Sequence, residues 1–200
     1  IHAFGFHFAS LDIRQDSRII NKALSDVFTH QPELKPATFD NQDELEQIES
    51  LLSLGGLVNL TRIENALSKD TLESLYAIKE IQKANGEHAC HRYIISNCRG
   101  AIDVARLFAL FRLCGWNDKD LSVDIIPLFE TILDLKNSEK SMRILYESLN
   151  YREHLTRRSN KQTMMLGFSD GTKDGGYLMA NWAIYSAKEC LTRASRLFEV

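Results

Sequence analysis

Apolar residues follow two alternating patterns along the chain, short continuous runs and longer stretches with helical spacing. The short runs predict strands at residues 2–11, 92–97, 123–129 and 163–168. Apolar residues then return every three or four positions, which predicts helices at residues 17–30, 101–114, 133–149 and, after a polar turn, up to residue 189. A strand followed by a helix, repeated four times, predicts a parallel sheet with right-handed crossover connections.

Residues 31–88 interrupt this alternation. Pro32 and Pro36 predict a loop, and helical spacing returns over residues 42–54 and 70–85. We interpret residues 31–88 as a helical insertion within one helix-rich α/β domain that covers residues 1–200.

Composition and charge exclude some partners. The chain is 44% hydrophobic with three prolines, which fits a compact core. Its net charge of −3 gives no general attraction to nucleic acid or to an anionic membrane, so any anion site must be local. The apolar runs are shorter than a membrane span, and the start lacks a signal-peptide pattern, so we expect a cytoplasmic protein. Because the chain begins at Ile1 and stops just after the long helix, we expect it to be a fragment.

A polar, glycine-rich turn, SDGTKDGG, follows the fourth predicted strand. Glycine lets backbone amides approach a ligand closely, and a helix N-terminus favours anions. The turn therefore either holds an anionic ligand or merely links a strand to a helix.

The carboxyl ends of parallel strands share one edge, where barrel enzymes form their active sites. The residues at or just past the ends of the four predicted strands are Arg14, Ser96 with Asn97, Glu130, and Asp170 with Lys173. Glu130 and Asp170 offer the oxygen ligands that Mg²⁺ or Mn²⁺ prefers. Arg14 and Lys173 would face an anionic substrate. The alternative is a set of salt bridges at this edge, for instance between Arg14 and Glu130.

Three segments resemble phosphoenolpyruvate carboxylases, in the same order along the chain: FGFHFASLDIRQDS, PLFETILDL and MLGFSDGTKDGGYLMANWAIYSAKE. The resemblance implies a (β/α)8 TIM-type barrel, of which this chain would be a central, partial piece with about four strands. It also implies a homotetramer that joins bicarbonate to phosphoenolpyruvate and gives oxaloacetate and phosphate. Glu130 and Asp170 would bind Mg²⁺ or Mn²⁺, and Arg14 and Lys173 would be the catalytic, substrate-binding residues.

The family's carboxylation histidine and its glycine- and arginine-rich mobile loop have no match in these residues. We therefore expect the isolated chain to be inactive, and to self-associate through open strand edges and apolar faces that the rest of the enzyme would cover. The turn at Cys98, Arg99 and Gly100 departs from the family pattern, so no role is assigned to Asn97 or Arg99. Two other functions stay open: another metal-dependent barrel enzyme acting on a phosphorylated or enolisable acid, and a non-catalytic helical assembly domain.

Overall fold

A computed structural model describes residues 9–117 and 120–200 of the chain. Its strands form one parallel sheet in chain order, made of β1 (Asp12–Asp16), β2 (Arg92–Ser96), β3 (Asp124–Phe129) and β4 (Met165–Leu166). The helix-rich α/β class and the four-stranded parallel sheet are confirmed. Closure of such a sheet into a barrel stays a prediction.

Helices connect the strands and pack against one face of the sheet. They are α1 (Ser17–His30), α2 (Glu44–Leu52), α3 (Ala66–Asn85), α4 (Ala101–Leu113), α5 (Ile132–Glu147), α6 (Leu149–Arg157) and α7 (Ser169–Phe198). Single 3-10 turns lie at Pro32–Leu34, Phe39–Asn41, Leu60–Arg62 and Glu87–Ala89. In the part of the chain that the structure describes, no helix is both long and apolar enough to cross a membrane.

Local capping explains where several helices begin. The Asp16 side chain accepts a hydrogen bond from the Arg18 backbone N–H at the start of α1. The start of α5 has a capping box, in which the side chains of Thr131 and Asp134 each accept the other residue's backbone N–H.

The first strand differs from its prediction. Residues 1–8 of the predicted strand lie outside the described residues, and residues 9–11 are not in a strand. β1 instead spans Asp12–Asp16, which the sequence pattern indicated as a turn. Its only apolar residue is Ile13, so backbone pairing with β2, and not burial of an apolar run, holds β1 in the sheet. Arg14 therefore lies within β1 and not beyond its end.

Two later predictions also need correction. The helix predicted over residues 133–149 is interrupted at Ser148, whose extended backbone separates α5 from α6. The predicted glycine-rich loop is helical from Ser169, and only Gly176, with φ 78° and ψ 166°, departs from helical geometry inside α7. β4 is correspondingly short.

The main core lies between one face of the sheet and the helices. Its largest fully buried side chains are Tyr93, Phe108, Phe111, Phe129, Tyr146 and Tyr151. Between α1 and β2, buried leucines and isoleucines of α2 and α3 join this same core. That residues 31–88 are an insertion stays a prediction.

A second, smaller apolar group contains Ile94, Ile126 and Leu128, with Met165 packed against it. Side chains alternate between the two faces of a strand, so this group lies on the sheet face opposite the main core. The register pairs Ile94 with both Arg14 and Ile126. Arg14 therefore belongs to the row of side chains on this second face.

Candidate active site

Arg14 and Glu130 meet across the carboxyl end of β2. Arg14 Nη2 donates to Glu130 Oε1 at 3.0 Å, although β2 separates β1 from β3 in the sheet. Glu130 lies two residues beyond Leu128 and so continues the second-face row to which Arg14 belongs. The Glu130 side chain is only 15% exposed, whereas that of Arg14 is 54% exposed. The structure thus contains the ion pair that the sequence offered as the alternative to a substrate-facing arginine.

The other carboxylate oxygen of Glu130 is held by the turn after β2. Glu130 Oε2 accepts a hydrogen bond from the Asn97 backbone N–H at 2.7 Å. Asn97 has a φ of 53°, a left-handed conformation that asparagine tolerates better than most residues. The Asn97 carbonyl accepts from Ser17 Oγ at 2.7 Å, so the turn is fixed to α1 as well. The sequence assigned no role to Asn97, and an asparagine in a turn after a strand is the signal that would have indicated one.

Asp170 and Lys173 form a second pair at the start of α7. Lys173 Nζ donates to Asp170 Oδ1 at 3.1 Å, and the side chains are 74% and 51% exposed respectively. Each candidate substrate cation therefore lies beside one candidate metal carboxylate.

The segment that carries this second pair packs against the backbone around Glu130. The Gly167 N–H donates to the Phe129 carbonyl at 2.8 Å. A β-carbon on Gly167 would lie 3.0 Å from Glu130 Cα, and one on Gly171 would lie 3.5 Å from the Glu130 carbonyl oxygen. Glycine permits this close approach because it has no side chain.

A further contact joins the residues that follow Glu130 to the residues that follow Lys173. Asp174 Oδ2 accepts a hydrogen bond from the Ile132 backbone N–H at 2.9 Å. No role was predicted for Asp174, since nothing in the local sequence pattern identifies a partner that is 42 positions away.

Cys98, at the end of β2, is not a nucleophile candidate. Burial raises the pKa of its thiol well above the ordinary range, and the thiol is fully shielded from solvent. A thiol that stays protonated is a poor nucleophile and a poor metal ligand. Cys98 is therefore a packing residue.

The carboxylates suit a hard divalent cation. Each carboxylate oxygen has two lone pairs, so the hydrogen bonds from Arg14 and Asn97 leave Glu130 capacity for a cation. Within residues 9–117 and 120–200, no group of three or more His, Cys, Asp and Glu side chains could hold a metal. A cation here would use Glu130 and Asp170 and take its remaining oxygens from water or substrate, as Mg²⁺ commonly does.

Comparisons with known proteins agree with the resemblance found in the sequence. The family model described as phosphoenolpyruvate carboxylase matches residues 1–200. The chain is similar to the phosphoenolpyruvate carboxylase of Gloeobacter violaceus, with 33% identity over 98% of this chain and 22% of that protein. It is 36% identical to the phosphoenolpyruvate carboxylase of Nitrosomonas europaea, over 95% of this chain and 21% of that protein.

The chain thus spans about a fifth of the length of these curated relatives. Because the family model covers all 200 residues, the resemblance is confirmed. The chain belongs to the phosphoenolpyruvate carboxylase family.

Proposed function

We propose that this chain is part of an enzyme that carboxylates phosphoenolpyruvate with bicarbonate and gives oxaloacetate and phosphate. The observation that carries the proposal is the Arg14–Glu130 ion pair, against which the Asp170–Lys173 segment packs. Two carboxylates and two cations at one edge of a parallel sheet suit an anionic substrate and a divalent cation.

Glu130 and Asp170 would hold Mg²⁺ or Mn²⁺. When bound, the cation supplies positive charge beside the oxygens of the substrate. Glu130 is oriented for this role by Arg14 on one oxygen and by Asn97 on the other. Asp170 is oriented by Lys173 and is more exposed than Glu130.

Arg14 would bind the phosphate or carboxylate of phosphoenolpyruvate. Its bond to Glu130 uses one Nη2 hydrogen, so the other N–H groups of the planar guanidinium can engage a second anion. Lys173 is a mobile point charge, and it would neutralise bicarbonate or the departing phosphate.

The reaction moves negative charge between groups that these side chains would face. A bicarbonate oxygen attacks phosphorus, the bond from phosphorus to the enol oxygen breaks, and carboxyphosphate and the enolate of pyruvate form. Carboxyphosphate releases carbon dioxide and leaves phosphate, and the enolate carbon then bonds to carbon dioxide. Arg14 and Lys173 would stabilise the charge as it passes from bicarbonate to the enolate and phosphate.

Water must be kept from the enolate, since protonation would give pyruvate in place of oxaloacetate. The buried second-face group of Ile94, Ile126 and Leu128 lies in the same row as Arg14 and supplies an apolar floor. Apolar side chains on this face are also what the filled interior of a (β/α)8 barrel requires. The barrel, the homotetramer and the cytoplasmic location implied by the family belong to the same proposal.

The test uses the whole gene product that carries this chain. Oxaloacetate formation is followed by coupled reduction with NADH, and phosphate release is measured in parallel. We expect both products in equal amounts, and only when phosphoenolpyruvate, bicarbonate and Mg²⁺ or Mn²⁺ are all present. Metal-dependent phosphate release that needs no bicarbonate would favour a different barrel enzyme. If Glu130→Gln still forms both products at the wild-type rate, Glu130 is not needed for the reaction. That result would favour an assembly domain that kept these residues without taking part in the chemistry.

A further inference from the structure

Asp174 links the two segments that carry the candidate metal carboxylates. Its Oδ2 accepts a hydrogen bond from the Ile132 backbone N–H at 2.9 Å. Ile132 lies two residues after Glu130, and Asp174 lies four residues after Asp170. This hydrogen bond therefore joins the segment that follows Glu130 to the segment that follows Asp170.

Few other polar contacts join these segments. The Gly167 N–H donates to the Phe129 carbonyl at the opposite end of the turn. Between residues 129–132 and 167–176, all of which the structure describes, Asp174 makes the one side-chain hydrogen bond. Close packing supports it, since a β-carbon on Gly175 would lie 2.8 Å from Ile132 Cγ1.

We propose that Asp174 is a positioning residue that sets the separation of Glu130 and Asp170, and thereby the affinity of this site for a divalent cation. The inference rests on the proposed function, because it takes Glu130 and Asp170 as ligands. Two carboxylates on different segments bind one cation well only when the segments are held in register, and outer contacts of this kind tune metal affinity. The negative charge of Asp174 at the N-terminus of α5 strengthens the link.

A purely structural role would make Asp174 only a cap for α5. That helix already has a local cap, in which Thr131 Oγ1 accepts from the Asp134 N–H at 3.1 Å and Asp134 Oδ2 accepts from the Thr131 N–H at 3.0 Å. Asp174 adds a contact from a distant segment. Asp134→Ala is therefore a matched comparison, because it weakens the start of α5 without removing a contact to residues 167–176.

The experiment is a Mn²⁺ titration of the whole gene product, followed by electron paramagnetic resonance of free Mn²⁺. We expect Asp174→Ala to raise the Kd for Mn²⁺ about tenfold. Asp174→Asn keeps an oxygen acceptor in place and should restore most of the affinity. Asp174→Glu keeps the charge but lengthens the link, so we expect a raised Kd with a Tm close to that of the wild type.

Asp134→Ala should lower the Tm and leave the Kd near the wild-type value. Equal increases in Kd for Asp134→Ala and Asp174→Ala would overturn the inference, as would an unchanged Kd in Asp174→Ala. If Asp174→Ala does not fold, Asp174→Glu decides, and a wild-type Kd for Mn²⁺ in that variant overturns the inference.

Asp170→Asn distinguishes failure of the proposed metal site from failure of the proposed role of Asp174. An unchanged Kd in Asp170→Asn removes the metal site itself, and the role of Asp174 with it, whereas a raised Kd there with no change in Asp174→Ala removes only the role of Asp174.

Discussion

Arg14 Nη2 donates to Glu130 Oε1 at 3.0 Å and so joins the first strand to the end of the third across the strand between them. We expect Arg14→Gln to lower kcat/KM for phosphoenolpyruvate in the whole gene product by about 100-fold, because it removes the preorganised charge that the proposed function places beside the reacting oxygens. The ion pair is half exposed at Arg14, so its loss should cost less than about 1 kcal/mol of stability. Steady-state kinetics and thermal unfolding measure the two effects.

Arg92→Gln is the control for Arg14→Gln. Arg92 of β2 pairs with Asp12 of the neighbouring β1 at 3.5 Å, at the amino ends of these strands and so away from the candidate site. Its loss should leave kcat/KM unchanged. A fall in kcat/KM as large in Arg92→Gln as in Arg14→Gln would show that Arg14→Gln acts by disturbing the sheet and not by removing a contact to the substrate.

Asp170→Asn should weaken Mn²⁺ binding by at least about tenfold, because an amide replaces a charged oxygen ligand. A Mn²⁺ titration of the whole gene product measures the change. Asp40→Asn is a suitable control, since Asp40 is also an exposed carboxylate paired with a lysine, Lys35. An unchanged titration in Asp170→Asn would remove Asp170 from the ligand pair.

Gly176→Ala should destabilise the protein by about 1–3 kcal/mol, because φ 78° with ψ 166° is a conformation almost confined to glycine. A β-carbon at Gly176 meets nothing within 4 Å, so the cost is conformational and not steric. Gly55→Ala is the control, since a β-carbon there also meets nothing and the φ angle is not left-handed. Thermal unfolding should show a clearly lower Tm for Gly176→Ala, and equal Tm values for the two variants would contradict the argument.

His154 should make stability depend on pH. Burial lowers the pKa of His154 from 6.5 to about 4, with Arg158 and Arg157 adding to the effect and Asp124 opposing it. The unfolded chain therefore binds one more proton than the folded chain between these two values. The contribution to stability, roughly 3 kcal/mol, is fully present above pH 6.5 and is lost as the pH falls towards 4.

Thermal unfolding between pH 7.5 and 4.5 tests this dependence. His154→Phe keeps a ring in the aromatic cluster with Phe108 and Tyr151, and it should flatten the decline in Tm. His88→Gln, at an exposed position, should leave the decline as it is in the wild type. An unaltered slope in His154→Phe would show that another group governs the acid response.

The isolated 200-residue chain should self-associate. Between residues 177 and 185 of α7, four large apolar side chains are 62–83% exposed, namely Tyr177, Leu178, Trp182 and Tyr185. An apolar patch of this kind favours association in water. Light scattering across a wide concentration range should show an average mass that rises with concentration.

A double variant identifies the surface responsible for self-association. Leu178→Gln with Trp182→Gln should shift the association to higher concentration. Leu149→Gln, which changes a single residue that is 80% exposed on α6, should have little effect. A monomer at every concentration in the wild type would contradict the prediction.

Elements with strong local signals were predicted well from the sequence. The helix at residues 17–30 was predicted with the bounds that the structure gives, because its apolar residues keep helical spacing throughout. β2 and β3 were predicted to within one residue at each end, since both are buried apolar runs. β1 was missed because four of its five residues are polar and it forms through backbone pairing with β2.

Contacts within the candidate site were harder to predict. Parallel topology placed Arg14 and Glu130 at one edge, but it could not decide whether they pair with each other or with a ligand. The backbone N–H of Asn97 reaches Glu130 through a left-handed turn, and the Asp174 side chain reaches Ile132 in another segment. Both depend on how distant backbone segments pack, which hydrophobic periodicity does not encode. The roles of Glu130, Asp170, Arg14 and Lys173 remain predictions for the experiments above.

The non-helical residue Gly176 divides α7 into a short piece that carries Asp170 and Lys173 and a long piece that packs on the core. The short piece takes its direction from its neighbours at Glu130 and Ile132, and not from the axis of the long helix. The directions of the Asp170 and Lys173 side chains therefore depend on the angle that the chain makes at Gly176. A substitution that changes this angle would move both side chains relative to Glu130, even though Gly176 contacts neither of them.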